Sequence, residues 1–256
     1  MRGLDGRTLV VAGGATGIGR GVALRLGQEG AKVVLGDLDG EGANRVAADI
    51  TEAGGTAIGV QFDLGDDDSV TRLVETATGE FGTVHGLYNC AADTSPQTML
   101  GDTHLLEADL GIWRRTYEIN LLGFVRTCKA VLPILLANGG GAIVNTSSAA
   151  ASLGEPTRPA YAASKAGINT LTRHIAATWG KQGVRCNSVA PGIVLTERLK
   201  ENPPQEFLDW AGSLVRSPRL GETSDIGATV AFLLSDDAEW VNGQVWRVDG
   251  GHEFRE

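Results

Sequence analysis

Short apolar runs alternate with longer amphipathic stretches along the whole chain of 256 residues. A run of roughly four to eight apolar, often β-branched residues bounded by glycine is typical of a buried strand, and apolar residues three or four positions apart are typical of a helix. Strands that alternate with helices pair in parallel through right-handed crossovers, which place helices on both faces of the sheet. The sequence therefore predicts a doubly wound α/β fold.

The predicted elements follow the chain without a linker or repeat, so one domain over residues 1–256 is expected. The predicted strands are Thr8–Ala12, Lys32–Leu35, Thr56–Phe62, Val84–Asn89, Gly140–Ser147, Val184–Ala190 and Gln244–Val248. The predicted helices are Gly17–Glu29, Glu41–Ala53, Asp66–Glu80, Leu110–Ala137, Pro159–Lys181 and Ser224–Leu234. Asp93–Asp109 is predicted to be a polar loop, and Gly192–Gly221 to be irregular with short helices around Pro204–Leu214.

Charge and cysteine content limit the partners that this chain can have. The formal charge of −9 disfavours binding to phosphate backbones, so no nucleic-acid partner is expected. The three cysteines Cys90, Cys128 and Cys186 are far apart and form no CxxC pair, which indicates buried thiols, no metal site and a reducing compartment. We also expect no signal peptide, no membrane span and a cytoplasmic location.

A glycine-rich turn over Gly13–Gly19 joins the first predicted strand to a helix. Glycines there let the backbone approach a pyrophosphate, which the free N–H groups of the helix N-terminus can bind. Asp37 ends the second strand, where a carboxylate can accept hydrogen bonds from ribose hydroxyls and repel a 2′-phosphate. It can equally be a turn residue. Arg20 is the nearby basic residue, and it can also simply face solvent.

Tyr161 and Lys165 lie four residues apart on a predicted helix and therefore share one face. An ammonium group beside a phenol lowers the phenol pKa and makes it a usable acid–base group, although an isolated Tyr-x-x-x-Lys pair is common by chance. Thirteen residues before the tyrosine, Ser148 ends the fifth strand and can hydrogen-bond a substrate oxygen or cap the backbone. Asn120 lies inside the long predicted helix, either as a surface amide or at a break in helix regularity.

Taken together, these motifs resemble those of the short-chain dehydrogenase/reductase superfamily in its single-domain form. The resemblance extends from end to end and is carried by the glycine turn, Asp37, Phe62-Asp63-Leu64, Asn89-Cys90-Ala91-Ala92, Asn120, Ser148, Tyr161-x-x-x-Lys165, Pro191-Gly192 and Asp249-Gly250-Gly251. It implies a Rossmann-type domain with a mostly parallel seven-stranded sheet. It also implies a substrate-loop segment at about residues 193–221.

The resemblance assigns a role to each motif. Tyr161 would exchange the proton with the substrate oxygen, Lys165 would lower its pKa and bind the nicotinamide ribose, Ser148 would orient substrate, and Asn120 would hold a water leading to Lys165. The implied cofactor residues are Gly13, Thr16, Gly17, Ile18, Gly19, Asp37, Leu38, Asp63, Leu64, Asn89, Ala91, Tyr161, Lys165, Pro191, Gly192, Ile193 and Thr196.

Three positions depart from the family pattern. Ala12 stands where threonine is usual, so one hydrogen bond near the fourth strand is expected to be missing. Cys90 replaces an asparagine and Ala92 a glycine, and both are expected to change the cofactor-facing wall modestly. The Asp93–Asp109 loop is longer than in many members and is expected to contribute to the substrate mouth.

These features predict an NAD-dependent oxidoreductase that interconverts a secondary alcohol and a ketone. The alternatives are an NADPH-dependent ketoreductase of biosynthesis, which Asp37 disfavours, and a catalytically silent dinucleotide sensor, which would not need Ser148, Tyr161 and Lys165. The substrate is expected to be an apolar small molecule. The apolar residues between Leu195 and Leu214 predict either a substrate lid or plain packing against the body.

A homotetramer is the expected assembly. The two long predicted helices carry more apolar positions than one sheet face requires, and relatives commonly form tetramers through these helices and the C-terminal segment. The candidate interface residues are Leu121, Phe124, Val131, Leu171, Ile175 and Trp179, and the alternative is that all six face the sheet. The segment from Trp240 to Phe254 would form a second contact.

Overall fold

A computed structural model describes residues 1–201 and 203–254 and contains a seven-stranded sheet in which every neighbouring pair is parallel. Its strands are β1 (Thr8–Ala12), β2 (Lys32–Asp37), β3 (Thr56–Gln61), β4 (Gly86–Asn89), β5 (Gly141–Thr146), β6 (Val184–Pro191) and β9 (Val245–Val248). Their spatial order is β3-β2-β1-β4-β5-β6-β9. The doubly wound prediction is therefore confirmed, with strand ends within two residues of those predicted.

Six long helical segments cover the two faces of this sheet. They are α1 (Gly17–Gln28), α2 (Gly40–Glu52), α3 (Asp67–Phe81), α6 (Gly123–Ala137), α7 (Pro159–Trp179) and α10 (Thr223–Leu234). One apolar core joins the sheet to α1, α2 and α10, and the other joins it to α3, α6 and α7. Alternate residues of one strand supply both cores, since Val11 belongs to the first and Val10 to the second.

The two segments predicted to be irregular contain more structure than the sequence indicated. Residues 93–109 include helix α4 (Pro96–Gly101) and a 3₁₀ turn at Leu105–Glu107. In the second segment, β7 (Val194–Leu195) pairs with β8 (Gly221–Glu222), so its two ends are held together. Between them lie α8 (Glu197–Lys200) and α9 (Gln205–Leu214), and α9 closely matches the predicted short helix.

The long helix predicted over Leu110–Ala137 is interrupted. Helix α5 (Leu110–Tyr117) leads into a π-helical turn at Glu118–Leu122, and α6 follows directly. By length and apolar composition, the 110–137 segment could cross a membrane, but half of its most apolar 18-residue stretch is buried inside the protein. Its apolar residues are explained by packing against the sheet, as in core helices.

The predicted oligomer interface is partly wrong. Phe124, Val131 and Ile175 are fully buried in the core between the sheet and helices α6 and α7, so they cannot contact a second subunit. Leu121, Leu171 and Trp179 are half-buried and pack against the same core. The apolar periodicity of the two helices was read correctly, but it describes the face toward the sheet.

Candidate active site

Strand β1 leads into a glycine turn whose geometry only glycine allows. Gly13 and Gly17 have φ angles of 95° and 53°, in the left-handed region that side chains disfavour. A Cβ on Gly19 would lie 1.6 Å from the Gly13 carbonyl oxygen, so the turn and the helix must approach without one. Helix α1 begins after Thr16 without a side-chain cap and without an acidic residue in its first turn.

This uncapped helix end fits the pyrophosphate of a dinucleotide. The first N–H groups of a helix lack partners within the helix and carry the positive end of its dipole, so they bind anions. Thr196 lies against the turn, with its methyl carbon 3.2 Å from the position of a Cβ on Gly17. The structure thus brings Thr196 to the glycine turn from a distant part of the sequence.

Asp37 lies at the end of β2 beside the glycine turn. Its carboxylate accepts hydrogen bonds from the backbone N–H of Ala15 at 2.9 Å and of Asp39 at 3.1 Å. The turn interpretation is therefore confirmed. A carboxylate has roughly four acceptor sites, so the side chain keeps capacity for ribose hydroxyls, and the ribose-binding role stays a prediction. The guanidinium of Arg20 is paired instead with Asp49 at 3.0 Å and Glu197 at 3.3 Å.

Some of the predicted cofactor residues have side chains that point away from the cleft. The Leu64 side chain is buried in the core against Gly123, so only its backbone can face a ligand. Asn89 is also fully buried, and its side chain binds other protein groups. By contrast, Leu38 is exposed, Asp63 is exposed with its carboxylate bound to the N–H of Gly65, and Ile18 and Ala91 are half-buried.

The remaining predicted cofactor residues follow β6 at the same edge of the sheet. Pro191 is the last residue of β6 and is buried, and Gly192 and Ile193 after it are half-buried. A Cβ on Gly192 would lie 2.8 Å from the Asp249 side chain, so the Asp249-Gly250-Gly251 tail closes against this turn.

Tyr161, Lys165 and Ser148 come together as the sequence predicts. The Ser148 hydroxyl lies close enough to the Tyr161 phenol to lower its pKa, and the Lys165 ammonium lies 5.7 Å from the centre of the Tyr161 ring. The same Ser148 oxygen also accepts from the backbone N–H of Ala150 at 3.2 Å. Two hydroxyl groups therefore converge where one substrate oxygen could bind both.

Burial changes the titration of both groups of the pair. Burial raises the pKa of the Tyr161 phenol, and the neighbouring Ser148 hydroxyl partly offsets this. The net shift is therefore upward, opposite to the direction predicted from Lys165. Burial lowers the pKa of Lys165 to about 8, because the ammonium loses its hydration. Its Nζ atom donates to the Thr146 carbonyl at 2.9 Å and lies over the Phe124 ring.

Asn120 lies in the π-helical turn between α5 and α6 and is fully buried. Its Oδ1 atom accepts from the backbone N–H of Asp93 at 2.7 Å, whereas its Nδ2 atom has no partner in the described structure. The interpretation as an amide at a break in helix regularity is therefore correct. A buried donor without a protein partner fits an ordered water.

Thr127 hydrogen-bonds Asn89, the β4 residue that pairs with Ala12 in the sheet. Its hydroxyl donates to Asn89 Oδ1 at 2.7 Å, and Asn89 Nδ2 donates to Asn145 Oδ1 at 2.9 Å. Asn145 in turn donates to Thr172 at 3.0 Å, and Thr172 shares a hydrogen bond of 2.7 Å with Ser188. This buried chain ties α6, β4, β5, α7 and β6 together beneath the site.

Tyr88 and Cys90 form a further buried polar contact that sequence reasoning missed. Tyr88 is completely buried, and its hydroxyl accepts from Thr146 at 2.8 Å. The Cys90 thiol lies within hydrogen-bonding reach of Tyr88, and burial raises its pKa, so it is expected to stay protonated. A large hydroxyl-bearing residue inside a short apolar strand was the available signal.

Among the described residues, no group of three His, Cys, Asp or Glu side chains is placed to hold a metal ion.

This combination of a doubly wound parallel sheet, an uncapped glycine turn and a Ser–Tyr–Lys cluster defines a dinucleotide-dependent oxidoreductase. A family profile described as Enoyl-(Acyl carrier protein) reductase matches residues 13–253. The chain is 39% identical to a probable short-chain type dehydrogenase/reductase of Bradyrhizobium diazoefficiens, over 96% of this chain and 87% of that protein. The chain belongs to the short-chain dehydrogenase/reductase family.

Two further relatives indicate the chemistry. The chain is 39% identical to the cis-4-hydroxycyclohexanecarboxylate dehydrogenase of Sinomonas cyclohexanicum, over 96% of each protein. It matches a solved 7α-hydroxysteroid dehydrogenase in complex with NADH and 7-oxo glycochenodeoxycholic acid, with a TM-score of 0.90, 32% identity and coverage of 98% and 97%. The prediction of an NAD-dependent oxidoreductase for a secondary alcohol or ketone is confirmed at this level.

Proposed function

We propose that this protein interconverts a secondary alcohol on an apolar, alicyclic ring and the corresponding ketone, with NAD as cofactor and Tyr161 as the acid–base group. The observation that carries the proposal is the convergence of the Ser148 and Tyr161 hydroxyls beside a buried ammonium, at the sheet edge that also bears the glycine turn. Ligands of doubly wound folds bind at this edge.

Each polar group of the cluster has a distinct task in alcohol oxidation. Bound NAD⁺ supplies a hydride acceptor for the carbinol carbon. Tyr161, as phenolate, takes the hydroxyl proton, and Ser148 donates a hydrogen bond that orients the same oxygen. Lys165 stabilises the phenolate, and with one donor on Thr146 it keeps two for a ribose. In ketone reduction the phenol returns the proton.

Asn120 is the proposed anchor of a water that connects Lys165 with solvent. Its unpartnered Nδ2 atom can donate to that water while Oδ1 stays bound to Asp93. A buried lysine with a pKa of about 8 gains and loses protons near neutral pH, as a relay requires. The π-helical turn is the feature that turns this amide inward.

The substrate class is inferred from the relatives and from the segments around the site. Both relatives are named for oxidation of a hydroxyl group on a saturated ring system. Helix α9 carries Phe207 and the exposed Trp210 with ring centres 5.9 Å apart, and α4 carries the exposed Leu100. We assign the segment of about 193–221 to the substrate mouth of a single-domain enzyme, because an apolar rim favours an apolar ring.

Turnover of a substrate panel tests this function. Cyclohexanol and a 7α-hydroxysteroid should be oxidised with NAD⁺ at a kcat/KM at least tenfold higher than that for a sugar alcohol. An enoyl thioester with NADH tests the activity named by the family profile. Reduction of the enoyl thioester without oxidation of any ring alcohol would overturn the proposal, and binding of NADH without any turnover would favour a dinucleotide sensor.

The preference for NAD over NADP should depend on Asp37. The wild-type enzyme should prefer NAD by well over tenfold in kcat/KM, because a carboxylate facing a 2′-phosphate costs more than about 1.4 kcal/mol. Asp37→Ala should lower the ratio of kcat/KM with NAD to kcat/KM with NADP at least tenfold. The guanidinium of Arg20 is held by Asp49 and Glu197, so this residue is not expected to reverse the preference.

Glu41→Ala is the matched control for this measurement. Glu41 lies on α2 near the same end of the sheet, and its side chain is almost fully exposed. Its removal should leave the cofactor ratio within about twofold of wild type. Equal use of NAD and NADP by the wild-type enzyme would assign Asp37 to the turn alone and would favour the ketoreductase alternative.

We expect a homotetramer, now with outward-facing residues at its interfaces. Leu122 and Val125 are exposed at the start of α6, and Trp240, which precedes the edge strand β9, is 99% exposed. Light scattering should give about four times the chain mass of 26.7 kDa. Val125→Glu and Trp240→Glu should each halve this mass by disrupting one interface. A wild-type mass of 26.7 kDa would contradict the prediction.

A cytoplasmic location remains the proposal for this enzyme. Cys90, Cys128 and Cys186 are all free thiols, which suits a reducing compartment.

A further inference from the structure

Helix α7, which bears Tyr161, begins without a cap of its own. Arg158 stands at the N-cap position with φ 63° and makes no side-chain hydrogen bond to the helix. It is the only non-glycine residue with a positive φ in the described ranges 1–201 and 203–254. Such a conformation is strained for a residue with a side chain and persists only where the surroundings hold it. Something outside the helix must therefore hold its first turn.

Asp102 supplies the missing cap from the end of α4. Its Oδ1 atom accepts from the N–H of Ala160 at 3.1 Å, and its Oδ2 atom accepts from the N–H of Tyr161 at 2.8 Å. Its backbone carbonyl accepts from the N–H of Arg158 at 2.8 Å. Asp102 is only 4% exposed, and in the described part of the chain its carboxylate has no basic side chain within ion-pair distance. Helix N–H groups and the helix dipole compensate its charge.

The other end of the same segment contacts Asn120. The backbone N–H of Asp93 donates to Asn120 Oδ1 at 2.7 Å, and the Asp93 carboxylate pairs with Arg115 at 2.9 Å. Within the segment, the Ser95 side chain caps α4, which ends one residue before Asp102. Residues 93–102 therefore join Asn120 to Tyr161.

We propose that Asp102 is a positioning residue for the acid–base tyrosine, and that residues 93–102 act as a brace between Asn120 and Tyr161. The inference rests on the proposed role of Tyr161. Tyr161 is the third residue of α7, so loss of the cap would release the turn that carries its phenol. Lys165 lies one turn deeper and is held by Thr146, so it would stay in place. A displacement of about 1 Å can lower turnover roughly 100-fold.

The test compares Asp102→Ala with Asp102→Asn, which keeps one side-chain oxygen as an acceptor. Asp102→Ala should lower kcat for ring alcohols 10- to 100-fold, with KM and the dissociation constant of NADH changed less than threefold. Asp102→Asn should have a kcat at least fivefold higher than that of Asp102→Ala. Amide hydrogen exchange of the first turn of α7 should accelerate at least tenfold in Asp102→Ala, which can be measured without turnover.

Asp109→Ala is the matched control. Asp109 ends the 93–109 segment and caps α5 by accepting from the N–H of Gly111 at 2.7 Å, and among the described residues its carboxylate accepts no hydrogen bond from α7. This variant should keep kcat within twofold of wild type and leave exchange at the start of α7 unchanged. A kcat in Asp102→Ala equal to that of Asp109→Ala would overturn the positioning role. A wild-type enzyme inactive on alcohols would instead refute the proposed function, and the exchange result would still stand.

Discussion

Tyr161→Phe should lower turnover of alcohol and ketone at least ~100-fold, which is the usual contribution of a positioned general acid–base group. The substitution removes one oxygen atom from a side chain that shares its site with Ser148 and Lys165. Phenylalanine fills the same space, so the fold and the affinity for NADH should change little. Steady-state kinetics, with NADH binding followed by fluorescence, checks both expectations.

Tyr117→Phe is the control for this variant. Tyr117 ends α5 and stacks on Trp113 with ring centres 6.0 Å apart, and no role in proton transfer is assigned to it. It should retain nearly full activity. Activity of Tyr161→Phe within a few-fold of wild type would refute the acid–base assignment. Loss of NADH binding would instead show that the main role of Tyr161 is to bind the cofactor.

Lys165→Met should abolish most activity and yet make the protein more stable at neutral pH. Turnover should fall at least ~100-fold, because the phenolate loses its neighbouring cation. The lysine pKa falls from 10.5 to about 8 because the folded protein buries a charged ammonium group. This shift corresponds to a loss of roughly 3 kcal/mol in the free energy of unfolding of the wild-type protein. Because methionine also loses the hydrogen bond to Thr146, we expect the free energy of unfolding of Lys165→Met to exceed that of the wild type by about 1–2 kcal/mol.

The pH dependence of that gain has a definite sign. Below pH 8 the lysine is charged in both folded and unfolded states, so the variant keeps its full advantage. Between pH 8 and 10.5 the unfolded wild type binds a proton that the folded wild type does not, so wild-type stability rises relative to the variant. Denaturant unfolding at several pH values should show the advantage declining across this window.

Lys181→Met provides the baseline for the stability measurement. Lys181 is exposed just beyond the end of α7, so its replacement should change the free energy of unfolding by less than about 0.5 kcal/mol at every pH. A destabilised Lys165→Met at pH 7 would mean that the ammonium is better solvated or bonded than its burial implies.

Local patterns predicted the sheet and the catalytic cluster because both depend on short spacings. A separation of four positions places Tyr161 and Lys165 on one helix face, and parallel strands bring Asp37 and Ser148 to one edge. Asp102 could not be predicted, because its function depends on a contact with residues 58 and 59 positions away. An aspartate in a polar segment gives no local sign of such a partner.

Two other misses have the same physical origin. The sequence alone does not show whether an apolar helix residue faces the sheet or a neighbouring subunit. Phe124 and Ile175 were therefore predicted at an interface, but they lie in the core. The hydrogen bond from Thr127 to Asn89 could not be predicted either, because it comes from a helix that meets β4 only in three dimensions.

The buried hydrogen-bonded chain from Thr127 through Asn89, Asn145 and Thr172 to Ser188 restricts how this sequence can evolve. Each member satisfies its neighbour, so an apolar replacement at one position leaves a buried donor or acceptor unpaired, at a cost of roughly 1–3 kcal/mol. Replacing both members of a pair can be almost neutral. We therefore expect these five positions to covary during evolution. A residue introduced at one of them from a distant relative should be tolerated only when its hydrogen-bond partner is replaced as well.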